Sequence, residues 1–321
     1  MKQAILNFPQ QFEAGLKAAE EVKNSQAGKN IIICGMGGSA LPANLLITYK
    51  SDLETAVYIP RNYSLPPQAN QDSLVICISY SGNTEETLSC YRQAVEKGLE
   101  PLAITTGGEL KELAEENNLP IAEIPSGIQP RQAIGYQFSA LLQILNNCGI
   151  VSNQKANLSR LENNLQPKEL EQQGKELAEE LTNKLPLIYS SEKFKILARI
   201  WKIKFNENTK SMAFWNYFPE LNHNEMTGFE EIKKQIDPEQ LRVLMLKDQE
   251  NDKISKRMEL TKQLLKEHNV QTREIPIEGN SLLEKLFNSI LLSDWTTFYL
   301  AKKYGVDPEA VPIIEDFKEQ L

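Results

Sequence analysis

The sequence predicts an α/β protein of two doubly wound domains in tandem, each a parallel sheet covered by helices on both faces. Three observations carry this prediction. Short strands that are apolar throughout, such as residues 30–34 and 73–78, alternate with amphipathic segments of helical period. The alternation resumes after a polar helical stretch in the middle of the chain. The length of 321 residues suits two domains of roughly 150 residues each.

The first half, residues 1–152, contains the signals of one complete α/β domain, and we expect right-handed βαβ crossovers in it. The predicted strands cover residues 30–34, 56–59, 73–78, 101–105 and 121–124, and the predicted helices cover residues 12–22, 41–49, 85–97, 109–117 and 136–147.

The second half, residues 153–321, is predicted to be a surface helical connector followed by a second domain of the same kind. Heptad-like leucines at Leu158, Leu161 and Leu165 mark the connector, and Pro308 is placed in the first turn of the last helix. The predicted strands are residues 185–189, 241–246 and 270–275, and the predicted helices are residues 194–205, 254–268 and 282–304.

Composition excludes several classes of function. With 35 basic and 43 acidic residues the net charge is −8, which argues against nucleic acid or an anionic membrane as a partner. The sequence contains no apolar run of roughly 18 residues and opens with no signal peptide. The four cysteines form no CxxC pair, and we interpret them as thiols in a reducing cytoplasm. Two histidines leave no His-rich metal site, so no metal is expected.

A glycine-rich turn, Gly35-Met-Gly-Gly-Ser-Ala40, follows the first strand and opens a helix. It satisfies a loose G-x-G-x-x-G/A pattern, so an NAD site has to be considered. A dinucleotide site also needs an acid about 20 residues later, and residues 58–61 (Tyr-Ile-Pro-Arg) contain none. The other alternative is a tight turn whose glycines allow close packing.

A hydroxyl-rich turn, Ser79-Tyr-Ser-Gly-Asn-Thr84, follows the second strongly apolar strand. Its three hydroxyls, on Ser79, Ser81 and Thr84, converge with backbone N–H groups at a helix start, a combination that binds a phosphate monoester without a cationic side chain. The alternative is an ordinary N-cap cluster at Thr84. The sequence has no GxxxxGK[ST] motif, which disfavours a nucleoside triphosphatase.

These two turns resemble those of the sugar isomerase (SIS) domain, whose flavodoxin-like fold holds the phosphate of a phosphosugar in the Ser/Thr turn. Two such domains in one chain of this length resemble the bifunctional phosphoglucose/phosphomannose isomerases, over nearly the whole sequence. The resemblance implies cofactor-free and metal-independent conversion of glucose 6-phosphate, and of mannose 6-phosphate, to fructose 6-phosphate through a cis-enediol. It implies substrate binding by Gly38, Ser39, Ser79, Ser81, Thr84 and Arg131.

Two candidate catalytic residues have polar surroundings in the sequence. Arg131 is a permanent cation at a loop-to-helix junction, which suits either an oxyanion or a surface helix-start contact. Glu207, in Asn206-Glu-Asn-Thr-Lys210, is by itself a solvated residue that interrupts the helix begun at Phe194. The PR-x-A-x-GY resemblance places Arg131 by the enediolate, and the N-E-N-x-K resemblance makes Glu207 the base that moves a proton between C1 and C2.

His223 and Lys318 complete the candidate set. On sequence alone, His223 is either a surface residue or a ring-opening acid–base group, and Lys318 is a solvated residue of an amphipathic tail. The E-x-N-H-N-E resemblance implies that His223 reaches the neighbouring subunit's active site in a homodimer, and that Lys318 assists ring opening. Lys302 and Lys303 are alternatives to Lys318, whereas His268 ends a helix as an exposed residue.

Other functions remain open at this point. A non-catalytic sugar-phosphate-binding SIS regulator is the main alternative, although such regulators usually carry a basic DNA-binding helix, and about 29 residues precede the first strand without one. The isomerase half of a glucosamine-6-phosphate synthase would need an amidotransferase domain with an N-terminal Cys. The sequence does not decide whether mannose 6-phosphate is a substrate.

Overall fold

The computed structural model describes residues 1–24, 28–249, 251–318 and 320. The chain divides into two compact units. The N-terminal unit is Leu6–Asn164, and the C-terminal unit is Met1–Ile5 together with Leu165–Leu321. This division follows residue 164, whereas the sequence placed the boundary after residue 152, and it assigns the first residues of the chain to the C-terminal half.

The N-terminal unit contains a parallel five-stranded sheet of order β2-β1-β3-β4-β5. Its strands are β1 (Asn30–Cys34), β2 (Ala56–Tyr58), β3 (Ser73–Ile78), β4 (Leu102–Thr105) and β5 (Ile121–Glu123). After α1 (Lys2–Leu6) at the start of the chain, the helices are α2 (Gln11–Ala18), α3 (Leu41–Tyr49), α4 (Glu85–Glu96), α5 (Gly108–Glu116), α6 (Ile134–Asn147) and α7 (Lys155–Asn164). The predicted parallel α/β architecture is confirmed here.

The core of this unit follows from the apolar strands. All six residues of β3 are buried, as expected for a central parallel strand covered on both faces. Cys34, Cys77 and Cys90 lie in one apolar cluster with side chains of α4. A hydrogen bond to Cys77 together with burial raises the pKa of Cys34 well above its usual range, so Cys34 is a neutral packing residue at neutral pH.

The C-terminal unit contains a parallel four-stranded sheet of order β7-β6-β8-β9. Its strands are β6 (Leu185–Ser191), β7 (Phe214–Phe218), β8 (Leu241–Lys247) and β9 (Gln271–Pro276), and its helices are α8 (Glu171–Glu180), α9 (Lys195–Thr209), α10 (Asp252–Glu267), α11 (Leu282–Tyr304) and α12 (Pro312–Lys318). Strand β7 was absent from the sequence prediction. It is a short edge strand of mostly half-exposed aromatic residues, so it lacks the buried apolar run that identified the others.

Three further expectations differ from the structure in the connecting segments. The polar stretch between the halves is helical, as predicted, but it forms two helices, α7 and α8. The leucines Leu158 and Leu161 are buried, with α7 packed on α2, so α7 is not a surface connector. The last helix begins at Pro312 instead of near Pro308. His268 caps the C-terminus of α10 and is partly buried, not fully exposed.

Short 3₁₀ turns connect many of these elements. They are Phe8–Gln10, Gly37–Ala40, Pro130–Gln132, Pro167–Leu170, Glu192–Phe194, Glu220–His223, Glu225–Phe229, Ile232–Lys234 and Pro238–Gln240. Among the described residues, no helix offers a stretch of the length and apolarity that a membrane span requires.

Candidate active site

The glycine-rich turn after β1 is packed tightly against the segment that carries Arg131. A Cβ atom on Gly38 would lie 2.8 Å from the backbone nitrogen of Arg131 and 2.9 Å from the carbonyl carbon of Pro130. Contacts this short leave no room for a side chain, so glycine is required there. The turn also buries Ser39, whose Oγ accepts a hydrogen bond from the N–H of Tyr80 at 3.0 Å. Ser39 therefore joins the glycine-rich turn to the hydroxyl-rich turn.

The hydroxyl-rich turn after β3 is organised by its own side chains. Ser79 is fully buried, and its Oγ donates to Thr84 Oγ1 at 3.0 Å. The N–H of Gly82 donates to the carbonyl oxygen of Ser79 at 3.1 Å, and the N–H of Asn83 donates to the Oγ of the exposed Ser81 at 3.3 Å. These hydrogen bonds curl the turn back on itself and bring the hydroxyls of Ser79 and Thr84 together.

A second glycine pair, Gly107-Gly108, supports this curl from the end of β4. Gly82 has a φ of +75°, and a Cβ atom on it would lie 1.8 Å from the carbonyl oxygen of Gly107. The N–H of Leu110 donates to the carbonyl oxygen of Gly82 at 2.9 Å, and the N–H of Glu109 donates to Asn83 Oδ1 at 3.0 Å. Sequence reasoning missed this support, although adjacent glycines after a strand were its signal.

The start of α4 keeps polar groups available for a ligand. Thr84 is the N-cap residue, and within the described part of the chain its side chain makes no capping hydrogen bond to the helix. Thr87, in the first turn, is 1% exposed, and its Oγ1 has no hydrogen-bond partner among the described residues. Buried polar groups are normally paired, and helix N-termini attract anions. The turn and the helix start together form a site suited to a phosphate group.

Arg131 lies beside this site in the turn Pro130–Gln132. The side chain is 1% exposed, so the alternative of a surface arginine is wrong. Its Nη1 donates to Gln129 Oε1 at 3.4 Å. The neighbouring Gln132 is 2% exposed, and neither amide atom of its side chain has a partner among the described residues. The N-terminal unit thus joins Gly38, Ser39, Ser79, Thr84 and Arg131 through direct backbone and side-chain contacts.

Glu207 lies in the last turn of α9, in the C-terminal unit. The expectation that Asn206-Glu207-Asn208 interrupts the helix is wrong, because α9 continues to Thr209 and ends at Lys210 in the left-handed conformation, with a φ of +55°. Glu207 is partly buried. It lines a cavity of about 520 Å³ with apolar residues at the start of α12, including Val311 and Ile313. A carboxylate in a largely apolar cavity is suited to exchanging a proton with a bound substrate.

His223 ends the turn Glu220–His223 and is exposed. Residues on either side of it are anchored in the C-terminal unit. Asn222 Nδ2 donates to Thr261 Oγ1 at 2.9 Å, and the carboxylate of Glu225 accepts hydrogen bonds from Tyr189 and Asn216. Burial, with the nearby Glu225 carboxylate, raises the pKa of Tyr189 well above its usual range, so Tyr189 stays a hydrogen-bond donor at neutral pH. The imidazole is presented to solvent from a fixed loop.

Lys318 is the last residue of α12 and is exposed. The alternatives in α11 both have partners: Lys302 Nζ lies 4.6 Å from the centre of the Phe298 ring, and Lys303 pairs with Glu179. The predicted phosphate residues and Arg131 therefore belong to the N-terminal unit, and Glu207, His223 and Lys318 belong to the C-terminal unit.

Within residues 1–24, 28–249, 251–318 and 320, no group of three or more His, Cys, Asp or Glu side chains has an arrangement that could hold a metal ion.

Known proteins are similar to this chain over nearly its whole length. The chain is 39% identical to the bifunctional phosphoglucose/phosphomannose isomerase of Caldicellulosiruptor bescii, over 100% of this chain and 98% of that protein. The chain belongs to the bifunctional phosphoglucose/phosphomannose isomerase family. The Aquifex aeolicus member is 36% identical over 91% of this chain and 90% of its own length.

The family assignment agrees with two other comparisons. Residues 170–321 match the family described as bacterial phospho-glucose isomerase C-terminal SIS domain. The C-terminal domain of glucosamine-fructose-6-phosphate aminotransferase from Francisella tularensis superposes with a TM-score of 0.72, covering 97% of this chain and 98% of that one at 14% identity. At that identity, the likeness shows the fold alone. The predicted tandem SIS architecture and the resemblance to this isomerase family are confirmed.

Proposed function

We propose that this family member interconverts glucose 6-phosphate, and mannose 6-phosphate as a second aldose, with fructose 6-phosphate through a cis-enediol. One observation of the geometry supports the substrate class. The hydroxyl-rich turn lies at the N-terminus of α4, and within the described residues the side chain of Thr84 does not cap that helix. The names of the relatives, each a bifunctional phosphoglucose/phosphomannose isomerase, support the reaction. They disfavour the alternative of a non-catalytic SIS regulator.

Phosphate binding falls to the N-terminal unit. The hydroxyls of Ser39, Ser79, Ser81 and Thr84, with the N–H groups at the start of α4, would hold the phosphate oxygens. This use of neutral donors explains how a chain of net charge −8 can bind an anion. Gly38 contributes by letting the backbone of Arg131 approach the glycine-rich turn.

In the proposed mechanism, proton transfer uses residues of both units. His223, assisted by Lys318, would open the sugar ring by moving a proton between the ring oxygen and the anomeric hydroxyl. Glu207 would then remove the proton from C2 of the open aldose and return it to C1. The C2 hydroxyl loses its proton and becomes the ketone, and the C1 oxygen gains a proton in its place, so that no net proton is released. The guanidinium of Arg131 would stabilise the negative charge on the enediolate oxygen. No metal or nucleotide takes part in this scheme.

Replacement of the proposed base tests this reaction. Glu207→Gln keeps the shape of the side chain but cannot accept the proton, so we expect kcat to fall by about 100- to 10,000-fold on both aldose phosphates. Fructose 6-phosphate binding, measured by calorimetry, should stay within about twofold, because the phosphate residues are unchanged. Glu192→Gln, at an exposed glutamate paired with Lys195, is the matched control and should retain full activity. Wild-type turnover by Glu207→Gln would refute the assignment.

The subunit arrangement forms a second part of the proposal: a cytoplasmic homodimer in which His223 serves the partner's site. Its support is that His223 is exposed on an anchored loop and makes none of the hydrogen bonds that fix its neighbours.

Mixed dimers of two inactive variants test this arrangement. A dimer of one Glu207→Gln subunit and one His223→Ala subunit would contain one intact site if His223 crosses between subunits. Random reassociation of equal amounts should then restore about a quarter of the sites. The measurement is isomerase activity after mixed refolding, with each variant refolded alone as the control. Activity that stays at the level of the separate variants would place His223 in its own subunit's site.

A further inference from the structure

A buried polar contact joins α9 to α11 one turn before Glu207. Lys204 Nζ lies 2.7 Å from Asp294 Oδ1, and the two side chains are 0% and 2% exposed. One residue after Glu207, the buried Asn208 donates through Nδ2 to Thr297 Oγ1 at 2.8 Å. The catalytic candidate is therefore bracketed along the helix by two contacts to the same neighbouring helix.

Stability alone does not account for the ion pair. Removing two charges from water costs about as much as their attraction returns, and well-packed apolar side chains of similar volume are often as stabilising or more so. The surroundings offer apolar packing of that kind, since Trp201, Phe205 and Ile290 are all buried on the two helices. A charged pair does provide one property that apolar packing provides poorly, which is a single fixed distance between two helices.

The residues beside Glu207 are also fixed. Asn206 Nδ2 donates to the carbonyl oxygen of Ser211 at 2.8 Å, and Lys210 Nζ donates to the carbonyl oxygen of Glu207 at 3.0 Å. In the segment Asn206–Lys210, the side chains around Glu207 thus bind within the C-terminal unit and hold the last turn of α9 in shape. Glu207 itself lines the cavity.

We propose that the two contacts that bracket Glu207, Lys204–Asp294 and Asn208–Thr297, position the base for proton transfer. They hold the last turn of α9 against α11 so that the Glu207 carboxylate keeps its place. This inference rests on the proposed role of Glu207 as the base. Lys204 lies three residues before Glu207 on a helix, so a shift of its anchor is transmitted along less than one turn. A displacement of about 1 Å at a reacting group can cost about 100-fold in rate.

The double variant Lys204→Met/Asp294→Leu tests the proposal without leaving an unpaired buried charge. We expect it to fold with a Tm equal to or above that of the wild type. We expect kcat to fall by about 10- to 100-fold while KM changes by less than about threefold, because the phosphate-binding turn is untouched. The measurements are circular dichroism melting and steady-state kinetics with fructose 6-phosphate.

A matched control uses another buried contact between the same helices. Trp201 Nε1 donates to Ser289 Oγ at 3.1 Å, nearly two turns before Glu207. Ser289→Ala removes this contact and should leave kcat unchanged. Thr297→Val removes the acceptor of Asn208 and should lower kcat by about 3- to 10-fold, which keeps the test decisive if the double variant does not fold.

The outcomes separate this inference from the proposed function. Wild-type kcat in the folded double variant, together with an inactive Glu207→Gln, would overturn the positioning role and leave the reaction standing. If the double variant does not fold, equal kcat values for Thr297→Val and Ser289→Ala would overturn it. Full activity of Glu207→Gln would instead remove the proposed function on which the inference rests.

Discussion

The two units place different chemistry at the same point of the same strand order. The order β2-β1-β3-β4 matches β7-β6-β8-β9, so the end of β3 corresponds to the end of β8. After β3, the N-cap Thr84 leaves the start of α4 without a side-chain cap within the described residues. After β8, the side chain of Asn251 accepts hydrogen bonds from the N–H groups of Lys253 and Ile254 at the start of α10. The N-terminus of α10 is thus capped by a side chain of the protein itself, the neighbouring Asn251.

A carboxylate strengthens this difference. Asp248 follows β8 directly, is buried, and accepts a hydrogen bond from Ser191 Oγ at the end of β6. A buried negative charge opposes phosphate binding, whereas the corresponding turn in the N-terminal unit offers hydroxyls. In the proposed function, the strand order supplies the location for an anion site, and the few residues after each strand decide whether an anion can bind there.

The largest expected effect, on the free energy of unfolding, comes from replacing Gly82, the glycine that lets the hydroxyl-rich turn close. Gly82→Ala would force a Cβ atom against the carbonyl oxygen of Gly107 at a positive φ, so we expect a loss of about 3–5 kcal/mol in unfolding free energy. Urea titration measures it. Gly37→Ala is the control: φ is also positive, but nothing lies within 4 Å, and about 1 kcal/mol is expected. Equal losses would show that the contact with Gly107 is unimportant.

A smaller effect is expected when one hydroxyl group is removed from each unit. Thr84→Val removes a proposed phosphate ligand and should raise KM for fructose 6-phosphate by about 10- to 100-fold. Ser191→Ala is the counterpart in the C-terminal unit. It leaves Asp248 without this donor and should cost about 1–3 kcal/mol of stability with no change in KM. Steady-state kinetics and thermal melts measure both. If KM rises as much in Ser191→Ala, the two turns do not differ in function.

The smallest expected effect tests whether the first residues belong to the C-terminal unit. Lys2 Nζ lies 2.7 Å from Glu171 Oε1, which also accepts from Tyr299. These two hydrogen bonds lower the pKa of Glu171, and the one from Lys2 has the larger effect. A lowered pKa contributes stability above the unfolded pKa of about 4.3, and the contribution is lost as the pH falls through the folded value.

Glu171→Gln removes this contribution. At pH 7 we expect the variant to lose about 0.5 kcal/mol, because the Lys2 side chain is half exposed and water screens the pair. We expect the gap to the wild type to close in acid. Urea titrations at pH 7 and pH 3 measure the gap. A gap that persists unchanged at pH 3 would contradict an electrostatic origin.

The sequence was informative wherever the signal lay within a few consecutive residues. Apolar runs predicted the strands β1, β3 and β8, and the hydroxyl-rich turn was visible because its chemistry occupies residues 79–84. Signals that depend on distant residues were missed. The pair of adjacent glycines, Gly107 and Gly108, is visible in the sequence, but nothing local shows that it packs against Gly82. The pairing of Lys204 with Asp294, 90 residues away, leaves no local pattern.

The end of α9 shows why a local prediction can be wrong. Asparagines are unfavourable inside a helix because their side chains compete for the backbone, and this predicted an end near Phe205. In the structure, the side chain of Asn208 instead donates a hydrogen bond to Thr297 on α11, so this tertiary contact extends the helix to Thr209. The position of Glu207 on a helix follows from that extension.

The assignment of Met1–Ile5 to the C-terminal unit has a consequence for the order of events at the ribosome. The N-terminal unit is one continuous segment, Leu6–Asn164, and its sheet can form while the rest of the chain is still being made. Lys2 is synthesised before that unit, whereas its partner Glu171 is synthesised only after it. We therefore expect residues 1–5 to remain undocked throughout the synthesis of the N-terminal unit, and to dock only after Glu171 has been made.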